Sequence, residues 1–303
     1  MDSIPCYSFG GMTTKWARSL PIAFLFCSAV FAQAKVVEVP FEFYKNELFA
    51  EVMIDGKGPF MMMLDTGTDP SAIDLATAET IGIKRSANGV AASGGGTDKN
   101  LAFKCKLKNV ELGDLKAGTI AAGAIDLSKL SDRIGKHIDG IIGYSLFKGR
   151  IVQFDYPHSV VRFFETAPMH ASTATMLKFR YDDNVLLDDV WVNGIQVVGS
   201  LDTGSSGAVQ LSPKGVSRLG LADAAAKGEV RTSMGYNGSF ENRGGKLASV
   251  KIGGLTVNDV DVLYFPPGSG HDKAPWDINI GNVFMQKYVV TIDYRAKTVT
   301  FER

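Results

Sequence analysis

The sequence predicts an all-β protein of two related lobes with pseudo-twofold symmetry and a few short helices. Short apolar runs alternate with Gly-containing turns along most of the 303 residues. A tetrapeptide also occurs twice, because Asp65-Thr66-Gly67-Thr68 returns as Asp202-Thr203-Gly204-Ser205, each time after an apolar, strand-like run. Two such matches are far rarer by chance than one, so the chain has the pattern of a degenerate tandem duplication.

The repeat extends beyond the tetrapeptide. Ile141-Ile142-Gly143 corresponds to Asn279-Ile280-Gly281, and an apolar stretch ending in Asp-Tyr follows each of them. Ahead of each tetrapeptide, two strands are joined by a hairpin turn, Asp55-Gly56 in the first half and Asn193-Gly194 in the second. Two units of this length favour a pair of lobes over a solenoid or a propeller.

The boundary between the lobes is predicted from composition. Residues 166–175 are small and polar and contain Pro168, which is typical of a linker. The N-terminal lobe then spans residues 35–165, and the C-terminal lobe spans residues 176–303.

Residues 1–34 are predicted to be a signal peptide. Lys15 and Arg18 precede an apolar run, and Ala32-Gln33-Ala34 has the small-x-small pattern of a cleavage site. Because the run is short for a membrane span, we expect cleavage and a periplasmic or secreted protein, with an uncleaved anchor as the alternative. Met12 is a second candidate for the start of translation.

Composition gives no indication of a charged partner. The chain has 32 basic and 32 acidic residues, which argues against nucleic-acid or membrane-surface binding through bulk charge. Cys105 is the only cysteine after residue 34, so no intramolecular disulfide is expected. The alternation of residues 103–107 predicts a strand with Cys105 inward, as a small buried residue and not as a nucleophile.

The two tetrapeptides can support acid–base chemistry. A carboxylate at the end of a buried strand needs hydrogen-bond donors, which a tight turn with Gly67 or Gly204 supplies. The hydroxyl groups of Thr68 and Ser205 are expected to donate to the carboxylates, while Thr66 and Thr203 bond across the symmetry axis. If the lobes face each other, Asp65 and Asp202 share one proton, so the pair can activate a water molecule and protonate a carbonyl group.

These residues resemble the pepsin-like and retropepsin-like aspartic proteases. The resemblance covers both Asp-Thr-Gly-Ser/Thr loops and both Ile-Gly elements, Ile142-Gly143 and Ile280-Gly281, which in the family pack beneath the catalytic loops. It implies a bilobal β fold, best described as two fused retropepsin-like lobes, with Asp65 and Asp202 as the catalytic dyad. It also implies an endopeptidase that needs no cofactor or metal and cleaves extended peptide segments as a monomer.

The resemblance further implies a hairpin that covers the cleft, and two segments are candidates. In the first lobe the candidate contains Gly94, Gly95 and Gly96 but lacks the tyrosine that pepsin-like enzymes have there. In the second lobe the candidate contains Tyr236, for which an ordinary surface position in a hairpin is the alternative.

Two further acids lie close to these motifs. Asp69 follows Thr68 directly, where it would raise the proton affinity of the dyad, or would simply be a solvated residue that begins a turn before Pro70. We favour the turn. Asp139 is expected to belong to the structural loop beneath the site.

Other classes of function have less support. The four histidines lack metal-ligand spacing, and no Gly-x-Ser-x-Gly motif is present. The serious alternative is a non-catalytic protein that keeps the fold and holds a peptide or another ligand in its cleft.

Overall fold

The computed structural model describes residues 35–303 except Ser93, Gly94, Thr97 and Tyr236, together with Met1, Ser3, Pro5 and Gly10. Apart from those four N-terminal positions, the predicted signal peptide lies outside the described residues. Ala34–Arg303 form one compact unit. No helix among the described residues has the length and apolar character that would span a membrane.

The first half of the chain forms short strands and three short helices. The strands are β1 (Val36–Pro40), β2 (Glu42–Tyr44), β3 (Glu47–Ile54), β4 (Lys57–Leu64), β5 (Ser71–Asp74), β6 (Val90–Ala91), β7 (Leu101–Leu112), β8 (Leu115–Ile125), β9 (Gly140–Ile142), β10 (Ile151–Asp155) and β11 (Val160–Phe164). The helices are α1 (Leu75–Thr80), α2 (Ser128–Ile134) and α3 (Tyr144–Phe147).

The second half repeats this pattern. Its strands are β12 (Thr175–Lys178), β13 (Arg180–Tyr181), β14 (Val185–Val192), β15 (Ile195–Leu201), β16 (Val209–Leu211), β17 (Glu229–Gly235), β18 (Gly238–Ile252), β19 (Leu255–Tyr264), β20 (Ile278–Ile280), β21 (Val289–Asp293) and β22 (Thr298–Glu302). Its helices are α4 (Pro213–Arg218), α5 (Ala222–Lys227) and α6 (Asn282–Met285).

The two predicted hairpin turns form where the sequence places them. Asp55 and Gly56 join β3 to β4 with φ of 52° and 72°, and Asn193 and Gly194 join β14 to β15 with φ of 49° and 82°. Two consecutive residues with positive φ match the twist of the flanking strands, which is why Asp-Gly and Asn-Gly are preferred there.

Each half contributes one eight-stranded sheet, and the two sheets have the same strand order. The first is β2-β3-β4-β9-β5-β8-β7-β6, and the second is β13-β14-β15-β20-β16-β19-β18-β17. Every strand of one sheet thus has a counterpart in the other. The predicted fold class, an all-β protein of two similar lobes with a few short helices, is confirmed.

A third sheet joins the lobes. Its order is β1-β11-β10-β21-β22-β12, and the central antiparallel pair β10–β21 brings one strand from each half together. At its centre Gln153 lies opposite Thr291, and Gln153 Nε2 donates to Thr291 Oγ1 at 3.0 Å. The chain crosses between lobes after β11, and residues 165–174, most of the predicted linker, contain no strand or helix.

Cys105 lies in β7 opposite Ala122 of β8 and is partly buried. Burial raises the pKa of its thiol to about 11. The thiolate is therefore scarce at neutral pH, as is expected of a packing residue.

Candidate active site

Asp65 and Asp202 occupy equivalent positions at the ends of central strands. Asp65 follows β4, and its backbone N–H donates to Ile142 O at 2.9 Å; Asp202 follows β15, and its N–H donates to Ile280 O at 3.0 Å. In each lobe the acceptor belongs to the parallel partner strand, β9 or β20. The Ile-Gly elements therefore hold the backbone of the Asp-Thr-Gly loops in place.

Thr66 and Thr203 tie the two loops together across the lobes. Thr66 N donates to Thr203 Oγ1 at 2.9 Å, and Thr203 N donates to Thr66 Oγ1 at 3.1 Å. Each hydroxyl group then donates to the backbone of the other lobe, Thr66 to Leu201 O at 3.1 Å and Thr203 to Leu64 O at 2.9 Å. Both threonines are almost fully buried, so this symmetric network fixes the distance between the two loops.

Asp65 accepts hydrogen bonds from its own turn. Gly67 N donates to Asp65 Oδ1 at 2.7 Å, and Thr68 Oγ1 donates to Oδ2 at 2.5 Å. Donors aimed at a carboxylate stabilise its charged form. The turn thus supplies two donors to the Asp65 carboxyl group.

Asp202 has a different set of donors. Gly204 N donates to its Oδ1 at 2.9 Å, and Asn279 Nδ2 donates to its Oδ2 at 2.7 Å. Ser205 does not take the role expected from the sequence, because its hydroxyl oxygen accepts a hydrogen bond from Gln210 Nε2 at 2.5 Å. Asn279, the side-chain donor to Asp202, occupies the position of Ile141 in the first lobe.

The two carboxyl groups lie against each other. A Cβ atom on Gly204 would lie 2.5 Å from Asp65 Oδ1, and one on Gly67 would lie 2.7 Å from Asp202 Oδ1, so each loop needs glycine where the opposite carboxyl group packs. Burial and then the charge of Asp65 raise the pKa of Asp202 to about 8. One proton is therefore retained by the pair at neutral pH.

The glycine of each Ile-Gly element, Gly143 or Gly281, supports the Asp-Thr-Gly loop of its lobe from below. Gly143 packs against the carbonyl oxygen of Thr68, and Gly281 packs against that of Ser205. A Cβ at either position would meet these backbone atoms within 2.6 Å. The Ile-Gly elements quoted from the sequence thus lie directly beneath the Asp-Thr-Gly loops.

The dyad opens into a cleft of about 1030 Å³ between the lobes. Two loop tips meet at this cleft, where Asn237 N donates to Gly95 O at 3.1 Å and Asp98 N donates to Asn237 O at 2.7 Å. Gly96 also forms a β-bridge with Asn237. The sequence predicts Gly94, Gly95, Gly96 and Tyr236 as candidates for the hairpin that covers the cleft. Gly95 and Gly96 lie at this contact, while Gly94 and Tyr236 fall outside the described residues.

The other acids singled out in the sequence have partners of their own. Asp69 lines the cleft, Tyr181 donates to its Oδ2 at 3.1 Å, and burial raises its pKa. Asp139 accepts hydrogen bonds from Met61 N at 2.8 Å and Thr77 Oγ1 at 3.0 Å. Asp139 therefore stabilises the strand that leads to Asp65.

The sequence reasoning missed three residues of the site. Asn279 binds Asp202 directly, while Glu47 and Arg133 line the same cleft. The pairing of Ile141 with Asn279 in the repeat was a signal for the first, because a polar residue replaces an apolar one at a buried position. Glu47 and Arg133 carried no signal, since charged residues at strand starts and in surface helices are common.

The described residues include no group of three or more His, Cys, Asp or Glu side chains placed to hold a metal ion. The histidines lie apart, and three of them contact single carboxylates: His137 with Asp139, His158 with Asp155 and His170 with Glu302.

Comparison with known proteins agrees with this geometry. A family model described as aspartyl protease matches the chain twice, over residues 50–146 and 189–283, and each match contains one Asp-Thr-Gly loop and one Ile-Gly element. No curated protein matches the chain significantly. The two matches together cover more than half of the sequence and coincide with the two sheets. The chain therefore belongs to the aspartyl protease family, with two fused retropepsin-like lobes.

Proposed function

We propose that this protein is an aspartic endopeptidase that hydrolyses peptide bonds of extended polypeptide substrates, with Asp65 and Asp202 as its catalytic dyad. The observation that carries the proposal is the arrangement of the two carboxyl groups. Asp65 is buried and Asp202 is partly buried, each packs against the loop glycine of the other lobe, and the two loops are held by reciprocal hydrogen bonds between Thr66 and Thr203. A protein that only bound ligands would have no chemical need for two carboxyl groups in contact at the floor of its cleft.

The proposed reaction uses the unequal environments of the two acids. Asp65, ionised and held by Gly67 and Thr68, accepts a proton from a water molecule while the water oxygen attacks the substrate carbonyl carbon. Asp202, whose pKa is raised to about 8, donates its proton to the carbonyl oxygen. The tetrahedral intermediate then breaks its C–N bond, and the amine leaves with a proton from the dyad.

The shape of the cleft supports an extended substrate. Loop tips from both lobes, around Gly95 and Asn237, meet over the cleft, so a peptide would lie between these tips and the dyad. Backbone groups of hairpins that border a cleft can add β-type hydrogen bonds to an extended chain, and the side chains of that chain then point alternately into the cleft. One chain carries both Asp-Thr-Gly loops, so we propose that a monomer is sufficient.

The test is cleavage of an unstructured peptide library, read by mass spectrometry from acidic to alkaline pH. We expect cleavage that declines above about pH 8, when the proton shared by the dyad is lost. Asp202→Asn should lower this cleavage by about 10²- to 10⁴-fold, whereas Asp139→Asn should not change which bonds are cut. Absence of cleavage by the unsubstituted protein, combined with saturable peptide binding, would contradict the proposal and favour the non-catalytic binding protein.

We also propose that residues 1–34 direct export and are removed, which leaves the protein periplasmic or secreted. Mass measurement of the protein from the cell envelope and the medium tests this. A mature chain that begins at Lys35 is expected. A full-length chain in the cytoplasm would contradict the proposal.

A further inference from the structure

Glu47 is a third buried carboxyl group in the cleft, and the proposed reaction does not use it. It is the first residue of β3, lines the same cleft as the dyad and is 6% exposed. Its Oε2 atom is buried and has no hydrogen-bond partner among the described residues. A buried acceptor without a donor is costly, so such an atom in a cleft marks a position that a ligand can satisfy.

The backbone next to Glu47 is held firmly by the other lobe. Asn282 Nδ2 donates to Asn46 O at 2.7 Å and also to Thr203 O at 2.7 Å. Tyr156 donates its hydroxyl proton to Asn282 Oδ1 at 2.7 Å. The start of β3 is therefore tied to the Asp-Thr-Gly loop of lobe two, and Glu47 has a fixed place beside the dyad.

The charges around Glu47 are mostly of its own sign. Burial and then the charges of Asp65 and Asp202 raise its pKa well above the ordinary value, while Arg133 and a hydrogen bond from Ser206 act in the opposite direction. Arg133 is only a partial counter-charge, because its Nη1 donates to Met234 O at 3.2 Å in the hairpin above the cleft. A cation placed beside Glu47 would relieve this repulsion.

The charged residues of the cleft leave an acidic centre. At the rim, Arg231 pairs with Glu229 at 2.6 Å and Lys246 pairs with Asp261 at 3.1 Å, so these charges cancel locally. The other acids that line the cleft, toward which a substrate cation would be drawn, are Glu47, Asp65, Asp69, Asp183 and Asp202. The remaining basic residues are Arg133, Lys273 and His271, and burial lowers the pKa of His271 to about 4, so it is neutral at pH 7.

We propose that Glu47 forms the base of a substrate subsite that binds a lysine or arginine side chain of the peptide, next to the bond that is cut. The cation donates a hydrogen bond to Oε2 and draws Glu47 into its ionised form, while its apolar stem packs along the cleft. This specificity rests on the proposed peptidase function, so the test must separate the two.

Peptide pairs provide that test. Each pair differs at one residue flanking the cleaved bond, lysine in one peptide and norleucine in the other, because norleucine keeps the apolar stem and lacks the charge. For the unsubstituted protein we expect kcat/KM to be about 10- to 100-fold higher for lysine at one of these positions. In Glu47→Gln the ratio should fall close to one, and Glu47→Asp should retain part of it.

Glu229→Gln is the matched control, because it removes a negative charge from the rim of the same cleft without touching Glu47. Its lysine-to-norleucine ratio should stay within about threefold of the original, as is usual for an exposed charge pair. A ratio near one in the unsubstituted protein would overturn the proposal, whether or not any variant folds. A high ratio that survives in folded Glu47→Gln would overturn it as well.

If the unsubstituted protein cleaves no peptide, the proposed peptidase function fails and the subsite is tested by binding alone. Fluorescence anisotropy of the labelled lysine and norleucine peptides then gives the same ratio as dissociation constants. Tighter binding of lysine that disappears in Glu47→Gln would support the subsite without catalysis. Equal binding of both peptides would overturn it.

Discussion

Replacement of Asp202 by asparagine separates the ionisation of the dyad from its packing. The change removes a titrating group but keeps its size, and the oxygen that accepts from Gly204 N is preserved. In the folded protein, burial and the charge of Asp65 raise the pKa of Asp202 from 3.8 to about 8. Between pH 3.8 and about pH 8, Asp202 is therefore protonated in the folded protein and ionised in the unfolded chain.

The sign of the effect on stability follows from this difference. The raised pKa stabilises the fold fully at pH values below 3.8, and this contribution is lost as the pH rises toward about 8. Each pH unit in this window lowers the free energy of unfolding by about 1.4 kcal/mol, so the loss between pH 5 and pH 8 is about 4 kcal/mol. Asparagine does not ionise. Its Nδ2 takes the place of Asp202 Oδ2, so the hydrogen bond from Asn279 Nδ2 is lost, and this loss is independent of pH.

The assay is thermal unfolding of both proteins from pH 5 to pH 9, together with peptide cleavage. With about 2 °C per kcal/mol for a chain of this size, the melting temperature of the unsubstituted protein should fall about 8 °C further over this range than that of Asp202→Asn. Cleavage by Asp202→Asn should fall by about 10²- to 10⁴-fold. Asp183→Asn, which replaces an exposed acid of the same cleft, is the control and should change both quantities little.

If the melting temperatures of the two proteins change with pH in parallel, the reasoning is refuted. This result would mean that Asp202 does not hold a proton in this pH window, and the dyad could not then contain a neutral member at neutral pH. Unchanged cleavage by the folded variant would refute the assignment of Asp202 itself.

Three further changes test the packing of the site and the role of the thiol. Gly204→Ala places a Cβ 2.5 Å from Asp65 Oδ1 and should lower kcat/KM at least about 100-fold. Gly254→Ala is the control and should not lower it, because its Cβ would have no atom closer than 3.5 Å. Equal activities of the two variants would contradict the close approach of the loops. Thr66→Val removes two hydrogen bonds between the lobes and should lower the free energy of unfolding, measured in urea, by about 2–4 kcal/mol. A decrease below about 0.5 kcal/mol would show that the network contributes little to stability. Cys105→Ser should keep activity within about twofold of the unsubstituted protein. Alkylation of Cys105 at pH 7 should be slow, because burial raises the pKa of its thiol to about 11. Rapid alkylation with loss of cleavage would contradict this.

Much of the architecture was present in local sequence. The hairpin turns at Asp55-Gly56 and Asn193-Gly194 are recognisable because few residue pairs adopt two consecutive positive φ values. The strands leading to Asp65 and Asp202 are recognisable because they are continuous apolar runs. Repetition of the whole pattern then predicts two related lobes, and the two sheets of the same strand order confirm this.

The hydroxyl beside Asp202 shows where local reasoning fails. Thr68 and Ser205 are equivalent in the repeat, yet Thr68 donates to Asp65 while Ser205 accepts from Gln210. At Asp202 the side-chain donor is Asn279, on the neighbouring strand β20. A duplicated motif fixes which groups are available, but side chains from other strands decide which hydrogen bonds form.

The sequence by itself determined the fold class, the two Asp-Thr-Gly loops and the Ile-Gly elements beneath them, because these depend on short-range patterns that occur twice. Only the tertiary structure decided that Glu47 lies beside the dyad with a buried oxygen that has no partner among the described residues, that Asn279 binds Asp202, and that the loop tips meet at Asn237. These features depend on contacts between residues far apart in the chain, and neither periodicity nor composition specifies how two packed lobes bring such residues together.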